Sequence, residues 1–561
     1  MEPQKPNKVE LIKENSRYLR GSVEEELLQE TPNFSEDNAV MLKAHGMYQQ
    51  HDRDVRGGQK LHSFMIRWRI PAGQLSADQY LVLDNLATRY ANNTLRLTTR
   101  ETIQFHGAQK GELRPLLQSI HEILLTSLGA CGDVVRNVTA CPAPFHNRAR
   151  VEISGYARQI SEHFLPRGNA YAEIWLDGEK LDLSGTAEQI EPFYGKTYLP
   201  RKFKIAITYQ GDNCLDIFTN DVGLIAVVEE EQLKGFNVLV GGGLGMNHTQ
   251  PDTFPRLSDP LGFVEPERLL EVLEQIIAVY RDNGDRVSRK HARIKYLIHA
   301  WGVERFRAEL ESRLGYKLAP SVALLPFEHH LHLGWHDQGD GQWFLGLSIE
   351  NGRIRDTEEV QLKRALAEIA HKFQPSFTIT ANQDLLITNL PPEAQLPVET
   401  ILRSHGVRLP RELSQVRMHS MACVALPTCS LAITEAERVL PAVIDELEKE
   451  LAQMGLQDEP ISVRMTGCPN GCARPYVADV GLVGRSLNKY SIFLGGRVDG
   501  TRLNRVYKDL VPLEAIVPTL LPLLSAFRDE RRAPETFGDF CLRVGFAGLE
   551  ALPVLPGREQ R

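Results

Sequence analysis

The stretch Ser63-Phe-Met-Ile-Arg-Trp-Arg-Ile-Pro71 alternates apolar and polar side chains in the manner of a β-strand with one buried face. An amphipathic segment at residues 74–91 follows and predicts a helix. Residues 95–107 then predict a second strand and its turn. Together these segments predict a strand–helix–strand unit.

The same order of segments returns in the second half of the chain. Residues 343–354 predict a strand and a turn, residues 360–374 a helix, and residues 377–388 another strand. Phe64 and Leu95 are 31 positions apart in the first unit, and Phe344 and Phe377 are 33 positions apart in the second. This recurrence indicates a duplication with two pseudo-symmetric α+β halves. Two unrelated units of ordinary strand–helix–strand pattern are the alternative.

Four of the eight cysteines lie in two loops rich in glycine and proline, Cys423-Val-Ala-Leu-Pro-Thr-Cys429 and Gly467-Cys468-Pro-Asn-Gly-Cys472. Soft thiolates select zinc, copper(I) or iron–sulfur clusters. Structural zinc sites usually keep about two to four residues inside each cysteine pair, so the first pair fits zinc less well. Glycine and proline are typical where backbone passes close to a cluster. We therefore predict an iron–sulfur cluster, with two pairs of buried, metal-free thiols as the alternative.

Composition sets limits on the class of protein. With 561 residues, 42% apolar and 24% charged, the chain is expected to form several soluble globular domains. A net charge of −8 without a basic tail argues against nucleic acid as a partner, and no apolar run reaches the roughly 18 residues of a membrane span. The amino terminus lacks the apolar core of a secretory signal, so we expect a cytoplasmic protein whose thiols stay reduced. The remaining cysteines are scattered, and we interpret them as structural: Cys131, Cys141, Cys214 and Cys541.

The run from Ser420 to Cys429, together with Arg464-Met-Thr-Gly-Cys-Pro-Asn-Gly-Cys472, resembles the signature of siroheme-containing sulfite and nitrite reductases. Further matching motifs are NSRYLRG, HGMYQQHDRD, TYLPRKFK, LVGGGLG and FGDF. The resemblance covers nearly the whole chain. It is greatest to the hemoprotein (beta) subunits of assimilatory NADPH-sulfite reductases.

This resemblance implies an α+β fold in which a pseudo-twofold axis relates two ferredoxin-like halves and two larger α/β domains. We predict an N-terminal arm at 1–62, a first ferredoxin-like half at 63–135 and a first siroheme-binding α/β domain without cluster cysteines at 136–325. A second ferredoxin-like half at 326–409 and a domain at 410–561 that ligates the cluster and siroheme complete the chain. Residues 45–60 are expected to form a loop or arm. A helix is expected from Thr434, with one apolar stripe: Leu440, Val443, Ile444, Leu447 and Leu451.

By the same resemblance, Cys423, Cys429, Cys468 and Cys472 hold a [4Fe–4S] cluster, and Cys472 shares its sulfur with the siroheme iron. Asn470 is expected to cap backbone groups around the sulfurs. The remaining siroheme contacts are expected from Arg96, Arg100, Gln104, His106 and Arg201.

Several of these expected cofactor contacts also follow a pattern in the sequence. Arg96, Arg100 and Gln104 share strand parity, as one cofactor-facing side requires. For His106 a structural hydrogen bond is the alternative. The run from Gly241 to Gly245 allows close approach to an anionic cofactor, although a plain turn explains it equally well.

The resemblance also assigns an anion-binding quartet: Arg67, Arg136, Lys202 and Lys204. Guanidinium groups orient oxyanion oxygens, and lysines supply charge and protons. Lys202 and Lys204 are two residues apart, so an extended backbone directs both the same way. Without the resemblance, exposure on a strand would be the ordinary interpretation of Arg67.

These assignments imply six-electron reduction of sulfite to sulfide for cysteine biosynthesis. The glycine run lacks the G-x-G-x-x-G dinucleotide pattern, so electrons must come from another protein. The resemblance implies NADPH and an FAD/FMN flavoprotein (alpha) subunit in a hetero-oligomer, with ferredoxin as the alternative donor.

Three other functions remain open at this stage. One is nitrite reduction to ammonia, whose enzymes tend to carry Asn where this chain has Lys204. A cluster-bearing electron carrier without a substrate is the second, and a zinc-bound structural domain is the third.

Overall fold

The computed structural model describes residues 5–55, 60–167, 175–176, 179–180 and 191–550. Parts of the predicted N-terminal arm, first α/β domain and C-terminal domain therefore lie outside the described residues. Among the described residues, no helix combines the length and apolar character needed to cross a membrane.

The described strands form four five-stranded sheets and one two-stranded sheet. In chain order they are β1 (Met47–His51), β2 (His62–Arg67), β3 (Gln74–Ser76), β4 (Leu95–Leu97), β5 (Ile103–Ala108), β6 (Thr139–Ala140), β7 (Trp175–Leu176), β8 (Glu179–Lys180), β9 (Ile205–Tyr209), β10 (Val222–Glu229), β11 (Gln232–Val240), β12 (Asp259–Val264), β13 (Gly334–Asp337), β14 (Trp343–Leu347), β15 (Arg353–Ile354), β16 (Ser376–Ile379), β17 (Leu385–Leu390), β18 (Ser420–Ala422), β19 (Val463–Thr466), β20 (Val480–Ser486), β21 (Lys489–Leu494) and β22 (Arg505–Pro512).

Helices cover the faces of these sheets. In chain order they are α1 (Lys8–Asn15), α2 (Val23–Leu27), α3 (Glu36–Met41), α4 (Ala77–Tyr90), α5 (Leu113–Glu122), α6 (Arg148–His163), α7 (Leu269–Asn283), α8 (Ile294–Trp301), α9 (Val303–Leu314), α10 (Leu362–Phe373), α11 (Gln395–Ser404), α12 (Gln415–Met418), α13 (Leu440–Met454), α14 (Ile516–Glu530), α15 (Phe537–Val544) and α16 (Phe546–Glu550).

Two smaller sheets are built from the repeated units. Their strand orders are β1-β2-β5-β4-β15 and β13-β14-β17-β16-β3, so each unit lends one short strand to the sheet of the other. One hydrophobic core serves both, and in it Tyr80 of α4 stacks on Phe377 of β16 with ring centroids 4.4 Å apart. The predicted duplication into two pseudo-symmetric halves is confirmed.

The two larger sheets repeat each other in the same way. Their orders are β6-β9-β10-β11-β12 and β18-β19-β20-β21-β22. In each, the first two pairings are parallel and the last two antiparallel. Each sheet has its own apolar core. The larger domains are therefore a second pair of repeats, and only the later one carries the four clustered cysteines.

One local prediction is wrong, because residues 95–107 form a hairpin and not a single strand. Strands β4 and β5 pair in antiparallel fashion, with Arg96 opposite Gln104. Between them the Thr98 amide donates to the Thr102 carbonyl at 3.0 Å, and their hydroxyls hydrogen bond at 2.7 Å. Arg96, Arg100 and Gln104 therefore do not share one side of a single strand, as the prediction required. Arg96 and Gln104 are neighbours across the hairpin instead.

Two boundaries also differ from expectation. Met47–His51, expected as loop, is the edge strand β1 paired with β2. The helix expected from Thr434 begins at Leu440, with Pro441 in its first turn, where a missing amide proton costs nothing. Its apolar stripe is buried as predicted.

Glu437 joins the cysteine-bearing domain to the smaller sheets. Its carboxylate lies 3.1 Å from Nη1 of Arg96, and it accepts from Nε and Nη2 of Arg353 at 2.6 and 2.9 Å. Arg96 also donates to the carbonyl of Ala422, one residue before Cys423, at 2.7 Å. Burial alone would raise the pKa of Glu437, but Arg96 and Arg353 outweigh it and hold that pKa at about 2.

The substitution Glu437→Gln is expected to lower the melting temperature in a pH-dependent way. Because the folded pKa of about 2 lies below the ordinary 4.5, the charge stabilises the fold above about pH 4.5. That contribution, at most about 3 kcal/mol, disappears as the pH falls toward the folded value. Thermal melts should give equal deficits near pH 7 and pH 5.5 and a smaller one near pH 4.

The exposed Glu393 provides the matched control, because Glu393→Gln should leave the melting temperature unchanged. An equal deficit for Glu437→Gln at every pH would contradict the ion-pair explanation.

Candidate active site and metal centre

The two cysteine loops leave adjacent parallel strands at the same edge of one sheet. Cys423 directly follows β18, and Cys468 comes two residues after the end of β19. The loops are bonded to each other: the Cys423 amide donates to Met465 O at 3.1 Å, and the Gly467 amide lies 3.4 Å from Cys423 Sγ. A side chain at Gly467 would meet the carbonyl of Thr434 at 2.5 Å. Glycine is therefore required where the loops touch.

The charges of the predicted cluster cysteines act on one another. Burial, followed by the negative charge of Cys472, raises the pKa of Cys423, Cys429 and Cys468, the last to about 12. Those three thiols also act on one another. Cationic iron would replace the thiol protons, because thiolates are the ligands that clusters require. This donor set fits a four-iron cluster.

Cys472 differs from the other three because it is exposed. Its carbonyl accepts a hydrogen bond from the Thr99 hydroxyl at 3.1 Å. Arg100, the residue after Thr99, donates to the carbonyl of Ile205, the residue after Lys204, at 2.8 Å. The hairpin at residues 95–107 therefore links Cys472 to the lysine-bearing segment of the first half of the chain.

Members of the predicted anion-binding quartet influence one another's charge. Burial first, and then the charges of Arg136 and Lys204, keep the pKa of Lys202 well below its usual value. Burial and Arg100 lower the pKa of Lys204 to about 7. After burial, the charges of Arg136 and Arg67 contribute to lowering the pKa of Arg100. Cations that repel one another in this way would be stabilised by a bound anion.

Backbone pairing sets the positions of Arg136 and the two lysines. The Arg136 amide donates to Phe203 O at 2.9 Å, and its guanidinium donates to Gly132 O at 3.2 Å from both Nε and Nη2. Phe203 is fully buried while Lys202 and Lys204 on either side are partly exposed. The two lysines therefore project to the same side, as the two-residue spacing predicts.

Lys204 is anchored by a buried ion pair. Its amide donates to Asp221 Oδ2 at 2.8 Å. Arg293 binds the same carboxylate through Nε and Nη2 at 2.9 and 2.8 Å. Arg67 is positioned by its strand, because β2 places it opposite Gln104 of β5. With the amide of Gln104 oriented to satisfy both groups, its oxygen accepts from Arg67 Nε at 3.1 Å.

Three residues predicted to hold siroheme carboxylates have partners within the protein. Arg96 binds Glu437 as described above. Arg100 donates to Asn220 Oδ1 and Ile205 O, both at 2.8 Å, although its buried Nε has no hydrogen-bond partner. His106 Nδ1 lies 3.2 Å from Arg353 Nη1.

Burial, followed by the charge of Arg353, lowers the pKa of His106 well below its usual value, so its ring is neutral. The contact agrees with the alternative of a structural hydrogen bond for His106. Cofactor contacts by Arg96, Arg100 and His106 stay predictions.

Arg201 and Asn470 lie at the two ends of the site. Arg201 is 3.7 Å from Asp133, a carboxylate that Arg289 also binds at 2.9 Å. Asn470 was expected to cap backbone groups, but its side chain instead donates to Cys468 Sγ at 3.5 Å. Its cofactor role also stays a prediction.

The glycine run touches the cluster loop directly. The amide of Met246 donates to Pro469 O at 3.0 Å, and a side chain at Gly245 would lie 3.4 Å from the Asn470 carbonyl. A side chain at Gly242 would collide with the Phe218 carbonyl. This run is therefore a close packing of backbone against the cluster loop.

Sequence reasoning missed two neighbours of the site. The Arg53 amide donates to Pro427 O at 3.2 Å and its guanidinium contacts the carbonyls of Cys429 and Ala432, so the N-terminal segment closes over the first cysteine loop. The Tyr48 hydroxyl lies 3.4 Å from Arg136 Nη2. Both residues belong to the HGMYQQHDRD motif, and this motif could have identified them as neighbours of the site.

Family models match both pairs of repeats. The nitrite and sulphite reductase 4Fe-4S domain matches residues 155–318 and 415–552. The nitrite/sulfite reductase ferredoxin-like half domain matches residues 56–123 and 336–405. Each model thus falls once on each half of the pseudo-symmetric molecule.

Similar proteins span the whole chain. A sulfite reductase [ferredoxin] of Synechococcus elongatus is 46% identical over 98% of this chain and 91% of its own. A sulfite reductase [NADPH] hemoprotein beta-component of Staphylococcus haemolyticus is 45% identical over 96% of this chain and 95% of its own. The solved structure of the Mycobacterium tuberculosis NirA protein matches with a TM-score of 0.80 at 25% identity, covering 97% of this chain and 98% of that one.

Converging thiols, repeated domains and matching family models thus agree along the length of the protein, and the chain belongs to the nitrite and sulphite reductase family.

Proposed function

We propose that this protein is the siroheme-bearing catalytic subunit of an assimilatory sulfite reductase that reduces sulfite to sulfide for cysteine biosynthesis. The observation that carries the proposal is the link, through Thr99 and Arg100, between the exposed Cys472 and the segment that bears Lys202 and Lys204. An electron carrier has no use for such a cation cluster, because it does not gather a small anion.

Four cysteines would hold the [4Fe–4S] cluster, with Cys472 also ligating the siroheme iron: Cys423, Cys429, Cys468 and Cys472. When bound, these groups supply stored electrons next to a coordination position for the substrate. The contribution of the chain itself is to fix the thiols at one sheet edge and to leave one of them open toward the cations.

The quartet would bind and orient the substrate. Sulfite carries up to two negative charges, and the guanidinium groups of Arg67 and Arg136 can direct its oxygens. Conversion to hydrosulfide consumes six electrons and seven protons. Burial and neighbouring cations lower the pKa of both lysines, that of Lys204 to about 7, so Lys204 can release and regain a proton near neutral pH.

For the electron donor we favour an NADPH-oxidising flavoprotein in a hetero-oligomer, in the cytoplasm. Similarity to proteins named hemoprotein beta-component supports this choice, as does the lack of a complete dinucleotide motif in the sequence. Ferredoxin is the second candidate, because a relative of equal similarity is named for it. Sulfide formation with each donor in turn distinguishes them.

The proposal is tested on the purified holoprotein by its optical spectrum and by sulfide release from sulfite with an artificial reductant. Tetrapyrrole bands that bleach on reduction, together with sulfide release, are expected. A spectrum with cluster absorbance alone would instead assign the protein as an electron carrier.

Cys468→Ser is expected to remove most of the cluster iron, because a hydroxyl does not replace a buried thiolate ligand. Iron and acid-labile sulfide per chain are the measurements. Cys541→Ser is the matched control: Cys541 is a buried thiol in the apolar core of the same domain, and its variant should keep full iron content. Full iron content in Cys468→Ser would remove this cysteine from the ligand set.

Lys204→Asn is expected to shift the preference between anions toward nitrite. Losing one cation should lower kcat/KM for sulfite by about 10- to 100-fold and affect nitrite less, because sulfite carries the greater charge. Steady-state rates with both anions measure this shift, with the exposed Lys234→Asn as control. An unchanged ratio would exclude Lys204 as the determinant of preference.

A further inference from the structure

A second group of metal-binding side chains lies outside the site described above. Cys141, Asp212, Cys214 and His332 each offer one ligand atom, and these four atoms all lie within 4.8 Å of one another. All four residues are buried. Among the described residues, no other group of three or more such side chains has its ligand atoms this close together. Its members are scattered along the sequence and are brought together by the fold.

The loops that carry this group correspond to the cysteine loops of the iron–sulfur centre. Cys141 directly follows β6, just as Cys423 directly follows β18. Cys214 lies eight residues before the start of β10, and Cys472 lies eight residues before the start of β20. Because the two larger sheets share one strand order and direction, the group is the pseudo-twofold counterpart of the cluster centre.

This counterpart does not have the ligands for an iron–sulfur cluster. The position that corresponds to Cys468 is Gln210, four residues before Cys214. The remaining ligands are Asp212, from the same loop, and His332, from the segment preceding β13. Ligand atoms packed within 4.8 Å leave room for one ion and not for a four-iron cube.

Two distances within the group are close to those between neighbouring ligands of a single tetrahedral ion. Cys141 Sγ lies 3.3 Å and His332 Nε2 lies 3.2 Å from Asp212 Oδ2. Metal–ligand bonds of about 2.0–2.3 Å in a tetrahedron place neighbouring ligand atoms roughly 3.3–3.8 Å apart. The amide of Cys214 fixes the other carboxylate oxygen by a hydrogen bond of 3.1 Å.

A polar atom is left without a hydrogen bond at the centre of this group. His332 Nε2 is buried, and its approach to Asp212 lacks hydrogen-bond geometry, so the nitrogen has no hydrogen-bond partner. Its close approach to the Asp212 carboxylate is an ion pair only when the imidazole is protonated, whereas a metal ion would bind both groups.

We propose that Cys141, Asp212, Cys214 and His332 bind a structural zinc ion. Two sulfurs, one imidazole nitrogen and one carboxylate oxygen form a donor set that suits tetrahedral zinc. Four protein ligands leave no open position, which is the arrangement of structural and not catalytic zinc.

The charges around the group balance with zinc in place. Two thiolates and one carboxylate carry three negative charges, and zinc supplies two positive ones. The remaining negative charge is offset by Arg150, whose Nη1 lies 3.1 Å from Cys141 Sγ. If no metal were bound, Arg150 would instead stabilise a Cys141 thiolate beside the Asp212 carboxylate.

The zinc would hold the loop that docks onto the cluster-bearing domain. Asp216, two residues after Cys214, binds Arg464 of β19 at 2.6 Å and Arg474 at 3.1 Å. His332 ties this loop to the strand β13 of the smaller sheets. The ion would therefore fix three segments against one another behind the cation-lined site.

The test is metal analysis of the full-length holoprotein purified without chelators, with zinc and iron measured together. About one zinc per chain is expected, with X-ray absorption at the zinc edge giving two sulfurs near 2.3 Å and two lighter ligands near 2.0–2.1 Å. Cys214→Ser and His332→Gln should each reduce zinc at least fivefold and leave cluster iron unchanged. Cys541→Ser should retain both metals.

Several outcomes would overturn the proposal. Absence of zinc from the wild type, zinc content unchanged in both variants, or a zinc environment with four sulfurs would each do so. A peptide linking Cys141 to Cys214 with loss of two hydrogens would show a disulfide in place of the metal site. If Cys214→Ser fails to fold, His332→Gln and chelation followed by zinc re-addition to the wild type decide the question. None of these readouts depends on sulfite reduction.

Discussion

The edge of one parallel pair of strands is the constraint on which the site depends. Strands β18 and β19 are parallel neighbours that end at the same edge of the sheet, so the loops that follow them come into contact. Gly467 permits the contact because the carbonyl of Thr434 occupies the space of a side chain. The two cysteine loops are thereby brought together, and burial, followed by the charge of Cys472, raises the pKa of Cys468 to about 12. Cluster ligation is thus prepared by the backbone before any ion arrives.

Duplication gave this molecule two copies of that edge, and the copies have diverged in chemistry. The later copy keeps four cysteines. In the earlier copy the lysines precede β9, and the loops beyond β6 and β9 carry Cys141 and Cys214 with a carboxylate between them. The hairpin residues Thr99 and Arg100 link Cys472 of the later copy to the segment of Lys204 in the earlier one. A site of this kind needs both copies, because the four loop cysteines belong to the later copy and the lysines to the earlier one.

Sequence patterns predicted what depends on local spacing. The cysteine loops, the repeated unit and the shared direction of Lys202 and Lys204 all follow from short-range periodicity. The roles of Arg96 and Arg100 could not be obtained this way, since a hairpin at residues 95–107 removes the parity argument. Their partners, among them Glu437, come from distant segments. Likewise, the scattered Cys141 and Cys214 become neighbours only through the pairing of β6 with β9.

Cationic side chains can bind an anion only if carboxylates do not already neutralise them. Here the contacts that position these residues use either a neutral carbonyl oxygen or a backbone amide, so the positive charges stay available. Arg136 is held by the carbonyl of Gly132, and the Lys204 amide by Asp221, whose own charge is balanced by Arg293. Among the described residues, the ammonium of Lys204 has no hydrogen-bond or ion-pair partner, and its backbone amide is the group that holds this residue. Because the cations are already in place before substrate binds, their mutual repulsion lowers the stability of the fold and does not lower the affinity for the anion.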